Sequence, residues 1–355
     1  MHIIKPDISI DFVGKRNIAF VISGALILLT IFMLIWRGGP RYGVDFSGGV
    51  LIQLKLQQKK APSEIRSALA PIGLEDSIVQ EFGQEGDLEY LIRVQKTDLD
   101  LTGVGDKAGA ALRQAFGEGT EIRRVEMVGP KVGKDLAEKA LFAIFYSILF
   151  MAIYISGRFE LKWMMSLVMA ISLAVVVYFI SALGAGVTSL IVAALAVTIG
   201  LCWFLKLRFA LGAIMALVHD VTITVGAFAL LNKEIDLSVI AAILTIVGYS
   251  LNDTIIVFDR IRENIKRTRR RPLSEIINDS VNQTLSRTVL TAGTTLIVVL
   301  ALFILGGGVI HDFAFALLVG IIVGTYSSVY VASPLLLLFE KTVSRAAREE
   351  KGAVK

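Results

Sequence analysis

The chain has 355 residues, 55% of them hydrophobic and 19% charged, with a formal net charge of +5. That balance belongs to a membrane protein and excludes an ordinary soluble domain. The excess of Lys and Arg is no nucleic-acid footprint, because it gathers beside apolar runs as topology signals do.

Residues 1–16 are short, polar and basic. The apolar run 17–36 that follows has the length of a membrane span and lacks a small-residue cleavage pattern, so it reads as an anchor. Residues 41–130 are the one substantial polar region. Gly43, Gly48 and Gly49, around Asp45 and Phe46, suit a tight turn leading into a strand. Val50, Ile52, Leu54 and Leu56 then alternate with polar residues, the pattern of a half-buried strand. A helix is predicted over 62–69, strands near 76–82 and 88–95, a second helix over 104–116 and a last strand over 121–128. This β-α-β-β-α-β order is the ferredoxin-like pattern. The fold class expected is a polytopic α-helical membrane bundle with one extracytoplasmic α+β domain of ferredoxin-like type.

Seven further spans are predicted near 136–156, 163–183, 187–205, 209–231, 237–258, 288–306 and 312–333, making eight. Lys15 and Arg16, Arg158 and Lys162, Lys206 and Arg208, the loop 259–287 and the tail 340–355 carry the basic residues on one side. The positive-inside rule therefore puts both termini in the cytoplasm and residues 41–130 outside. Arg158, Phe159 and Leu161 are echoed by Arg208, Phe209 and Leu211. The echo reads as a two-helix insertion over 159–207, which leaves later spans in the same orientation. Cys202 lies within it, in an apolar run, and reads as inert packing.

Asp253 sits inside the span 237–258, where a carboxylate costs about 2.5–3.5 kcal/mol and usually faces a bundle interior or a water path. A carboxyl there that exchanges protons is the core of a proton relay. Helical spacing places Gly248, Ser250, Asn252 and Asp253 in a seam suited to close helix packing. His219 and Asp220, adjacent in the preceding span, project about 100° apart, which predicts that one of them faces the seam. Arg287, at the inner start of the next span, is either a snorkelling arginine or a fixed cation that switches with Asp253. Asp259 and Arg260 belong to an interfacial charged face, and residues 266–271 form a basic loop suited to anionic lipid. No phosphate-binding glycine loop, Cys/His metal spacing or nucleophile motif is present. No enzyme, cofactor or metal is expected, and the energy source is an ion gradient or a partner.

Together these residues resemble the SecF family of protein translocase subunits, in the SecD/SecF branch of the resistance-nodulation-division superfamily. The resemblance rests on Gly43, Asp45, Phe46, Gly48 and Gly49; on residues 216–220; on residues 248–263, with Gly248, Ser250, Asn252, Asp253, Asp259 and Arg260; and on Arg287 with Thr288. It implies a bacterial inner-membrane subunit paired with SecD, working beside the SecYEG channel and the ATPase SecA, often with YajC. It implies use of the proton-motive force to draw unfolded preprotein outward, with Asp253 and Arg287 in the proton pathway and Asp220 as a further motif residue. Members typically have six spans, not eight. The competing reading is a proton-coupled exporter of small molecules or lipids from the same superfamily. Such exporters usually carry two external domains and two membrane halves, and this chain has one of each.

Overall fold

Hydropathy and alternation translate directly into elements in the computed structural model of the chain, which describes residues 9–82, 86, 88–94, 103–160, 163–182, 187–268 and 271–339. Helix α1 (Arg16–Arg37) leads to a one-turn helix, α2 (Val44–Ser47), and then to an α+β domain. That domain comprises β1 (Gly49–Lys55), α3 (Pro62–Leu69), β2 (Ile78–Phe82), β3 (Glu89–Val94), α4 (Val104–Phe116) and β4 (Glu121–Val128). The rest is helical: α5 (Pro130–Glu160), α6 (Trp163–Ala182), α7 (Val187–Phe204), α8 (Arg208–Leu230), α9 (Leu237–Arg267), α10 (Leu273–Leu305) and α11 (Gly307–Ser327). A π-helical turn, Ser328–Ala332, carries the last span on to Phe339.

Among the described residues six helices are long and apolar enough to cross a bilayer. The other two expected spans correspond to α6, of 20 residues, and α7, of 18 residues, within the ~17–25 residues a crossing uses. The pair packs beside α5. Phe159 of α5 and Phe209 of α8, the matching aromatics of the internal echo, both pack on Phe258 of α9, with ring centroids 6.0 and 5.2 Å away.

In the α+β domain the four strands form one antiparallel sheet of order β2-β3-β1-β4. One face of the sheet carries Val50, Ile52, Leu54, Tyr90 and Ile92, which pack against Ile65 and Leu69 of α3 and Ala108 and Leu112 of α4. These side chains are almost fully removed from water, so the domain has its own core. The opposite face, with Leu51, Gln53, Leu91 and Arg93, looks across a cleft of about 580 Å³ at the loop between α8 and α9. Glu234 of that loop, 7% exposed, is paired with Arg93 of β3 and with Arg41. Burial pushes the Glu234 carboxyl above its ordinary range, against the pull of both guanidiniums, and pushes Arg93 down. Both shifts mark a desolvated pair, which is costly to break from one side.

The two ends of the bundle are held by different polar contacts. At one end the segment before α1 lies on α10, where Asn278 and Asn282 accept from the Phe12 and Ile10 amides (2.8 Å each). Arg158 pairs there with Asp259 at 2.8 Å, and Arg260 with Glu263. At the other end Arg37 donates to Asn232, and Lys233 pairs with Asp312. Lys162, residues 269–270 and the tail 340–355, which entered the orientation argument, lie outside the described residues.

Candidate functional site

Asp253 faces into the bundle and is 1% exposed. Among the described residues neither of its carboxylate oxygens has a hydrogen-bond partner. A buried polar group without a partner costs about 1–3 kcal/mol or more, so packing alone does not account for it. The helix facing it is α10. Tyr249, one turn further out on α9, donates to the Thr291 carbonyl (3.0 Å) and contacts Thr295 Oγ1 (3.1 Å). Moving one turn inward along each of these antiparallel helices brings Asp253 level with Arg287. Arg287 is near enough for its charge to act on the carboxyl, yet it donates no hydrogen bond to it. The two groups expected to switch thus share a level of the bundle without touching.

Asp220 is different. It is 0% exposed, and both of its oxygens are occupied. Oδ2 accepts from Ser250 Oγ of α9 (2.6 Å) and from Ser327 Oγ of α11 (2.8 Å). Oδ1 lies 2.9 Å from His219 Nδ1, and His219 Nε2 lies 3.0 Å from Ser23 Oγ of α1. Ser23 reaches Tyr326 (3.3 Å), whose hydroxyl donates to the Ala19 carbonyl at 2.7 Å. This polar chain joins α1, α8, α9 and α11 inside an otherwise apolar core. One turn inward, Thr254 Oγ1 meets Ser328 Oγ at 2.9 Å.

The close approach depends on Gly324. A Cβ at that position would lie 2.9 Å from Ser250 Cβ and 3.4 Å from Asp220 Oδ2. Gly324→Ala is therefore expected to cost about 1–3 kcal/mol, the range for overpacking a filled core. A lowered thermal midpoint in detergent checks this; an unchanged midpoint contradicts it.

Both His219 and Asp220 are buried, at 4% and 0% exposure, but only Asp220 reaches the seam, at Ser250, while His219 turns to Ser23 of α1. One expectation needs correcting. The single seam of Gly248, Ser250, Asn252 and Asp253 is instead split: Ser250 and Asp253 point inward, whereas Gly248 and Asn252 are exposed. With Ala241 and Thr245, also exposed, they form a stripe at helical spacing along the outside of α9. Sequence reasoning missed Ser23, Tyr326, Ser327 and Ser328. The available signal was the run of four hydroxyl residues at 325–328 inside an apolar span. Gly43, Asp45, Phe46, Gly48 and Gly49 lie away from this site, at the Leu237 end of α9 and the Pro130 end of α5.

Comparison with known proteins adds the family context. The family model for "Protein export membrane protein SecD/SecF, C-terminal" matches residues 108–203 and again 182–342. The model for the "SecD/SecF GG Motif" matches residues 34–60. The protein translocase subunit SecF of Magnetococcus marinus is 43% identical over 348 residues, covering 96% of this chain and 95% of its own. That of Vibrio alginolyticus is 41% identical over 338 residues, covering 95% of this chain and 91% of its own. The crystal structure of SecDF from Thermus thermophilus, a translocon-associated membrane protein, superposes with a TM-score of 0.69 at 30% identity. The match takes in 96% of this chain and 40% of the SecDF chain.

Proposed function

Because the chain belongs to the SecD/SecF protein-export family, we propose that it is an accessory subunit of the Sec protein translocase that turns proton movement through its bundle into help with preprotein export. The observation that carries the proton part is Asp253: buried, unpartnered among the described residues, and level with Arg287. A carboxyl held without a donor is free to take and release a proton, and a nearby fixed cation changes how readily it does so. Asp220, with Ser250, is the second polar station on the same helix. Asn252, on the outward face of α9, stands at the boundary of this path rather than within it.

The main partner is a SecD-type subunit. The stripe of Ala241, Thr245, Gly248 and Asn252 supports this, since small and polar residues facing out of a membrane helix favour docking of another helix. The SecYEG channel, SecA and YajC are the wider assembly that the family resemblance implies. The chain would act there as a subunit, not as a catalyst. Basic residues at the end of the bundle that holds Arg158 and the start of α10 favour an inner-membrane orientation with both termini cytoplasmic. Cysteine labelling is expected to reach residues 41–130 from outside and residues 266–271 from inside; the reverse pattern would overturn this orientation. The doubled family match, overlapping at 182–203, supports reading 159–207 as an inserted helix pair.

Co-reconstitution with the SecD partner in proteoliposomes tests the relay. Wild type should carry protons and support export, and Asp253→Asn should do neither. Proton flux that survives Asp253→Asn would remove Asp253 from the path.

A further inference from the structure

We propose that residues 41–49 are the joint through which the helix carrying Asp253 is coupled to the external domain, with Asp45 as its positioning residue; the proposal rests on the relay reading above. Helix α9 starts at Leu237, and the strip just before it is gripped from several directions. The Ile235 amide donates to the Arg41 carbonyl (2.8 Å), and the Gly43 amide donates back to the Ile235 carbonyl (2.9 Å). Tyr42 and Ile235 thereby form a parallel bridge. Asp45 Oδ2 accepts from the Leu237 amide at 3.0 Å. That amide is one of the first N–H groups of a helix, which have no partner within it. A carboxylate there is favoured by hydrogen bonding and by the helix dipole. Asp236 serves the same turn, accepting from the Val239 amide at 2.8 Å. The outer end of α9 thus has two carboxylate caps, one of its own and one supplied by the segment 41–49.

The same segment grips the rest of the molecule. Phe46 is buried in the bundle beside Val239 of α9 and Ala140 of α5. Gly48 has a φ of +74°, and a Cβ there would lie 2.8 Å from Cα of Pro130, the first residue of α5. Only glycine meets both demands cheaply. The next residue, Gly49, opens β1, the strand paired with both β3 and β4. Arg41 adds a contact to Glu234, which also holds Arg93 of β3. One short segment therefore touches the end of α9, the start of α5 and a central strand of the external sheet.

The consequence follows from rigidity. Asp253 lies sixteen residues along α9 from Leu237, about 24 Å at the rise of an α-helix. A slide of α9 along its axis at the level of Asp253 carries the Asp45–Leu237 contact with it. The fixed geometry at Gly48 then passes it to β1. Residues 43–49 are thus a coupling element, which explains why a glycine-rich turn far from the polar site belongs with it.

The test separates coupling from folding and from proton conduction. Full-length chain, reconstituted with its SecD partner, is assayed for proton flux with an entrapped pH dye and for preprotein export. Asp45→Ala should leave proton flux at the wild-type level while export falls about fivefold, the factor equivalent to one lost hydrogen bond. Asp45→Asn, which keeps an acceptor oxygen for the Leu237 amide, should restore most of the export. Gly48→Ala should show the same split. Export unchanged in Asp45→Ala, or flux and export lost together, overturns the proposal. Survival of flux in Asp253→Asn overturns the relay instead, so the two failures are distinguishable.

Discussion

Asp253→Asn is expected to reduce proton-driven export about 100-fold, at the low end of what a positioned proton-transfer group contributes, while leaving the fold intact. The substitution keeps the shape of the side chain and removes its ability to ionise. Neither carboxylate oxygen has a partner among the described residues, so no hydrogen bond is lost. The change in stability should be small, because Asn fills the same space and leaves a buried polar group equally unpartnered. The pair of results matters more than either alone. Lost export with an unchanged thermal midpoint marks a working group; lost export with a collapsed midpoint would mark a structural one. If export at equal expression matches wild type, Asp253 has no part in energy coupling.

Asp220→Ala should behave in the opposite way and damage the structure first. Ser250, Ser327 and His219 all direct a polar atom at its carboxylate, and each would be left without that partner in an apolar core. Removing one member of such a buried set costs about 3–5 kcal/mol, a large share of a typical folding free energy of about 5–15 kcal/mol. A fall of several degrees in the thermal midpoint, with loss of protein from the membrane at 37 °C, is the expected outcome. Ser327→Ala removes one donor while leaving the others in place, and should cost only about 1 kcal/mol. Equal midpoints for Asp220→Ala and Ser327→Ala would mean that the carboxylate does not organise the crossing of α8, α9 and α11.

The two aspartates divide the work. Asp220 is saturated and ties α8 to α9 and α11 directly, and to α1 through His219 and Ser23. Asp253, one turn further along the inward face of α9 from Ser250, is left open towards α10. A fixed crossing beside an uncommitted carboxyl lets a change in proton occupancy act on helix position instead of being absorbed locally. The Leu237 end of the same helix is held by Asp45 and Phe46, where movement would meet the α+β domain.

Local pattern determined the elements. The last strand, the two domain helices and the six long spans follow from alternation, from Pro62 at a helix start and from apolar length, all of which act within a few residues. Composition alone marked Asp253, because a carboxylate in an apolar run is costly whatever its neighbours. Partnership was decided by tertiary structure. Adjacent residues on a helix face different helices, so His219 turns to α1 while Asp220 turns to α9 and α11; the sequence predicts the angle between them but not what stands at each side. For the same reason the polar seam of α9 divides into an inward pair, Ser250 and Asp253, and an outward pair, Gly248 and Asn252. The role of residues 43–49 was the least legible of all. Its meaning lies in contacts with residues 130 and 235–237, far along the chain, which only folding brings within hydrogen-bond and van der Waals range.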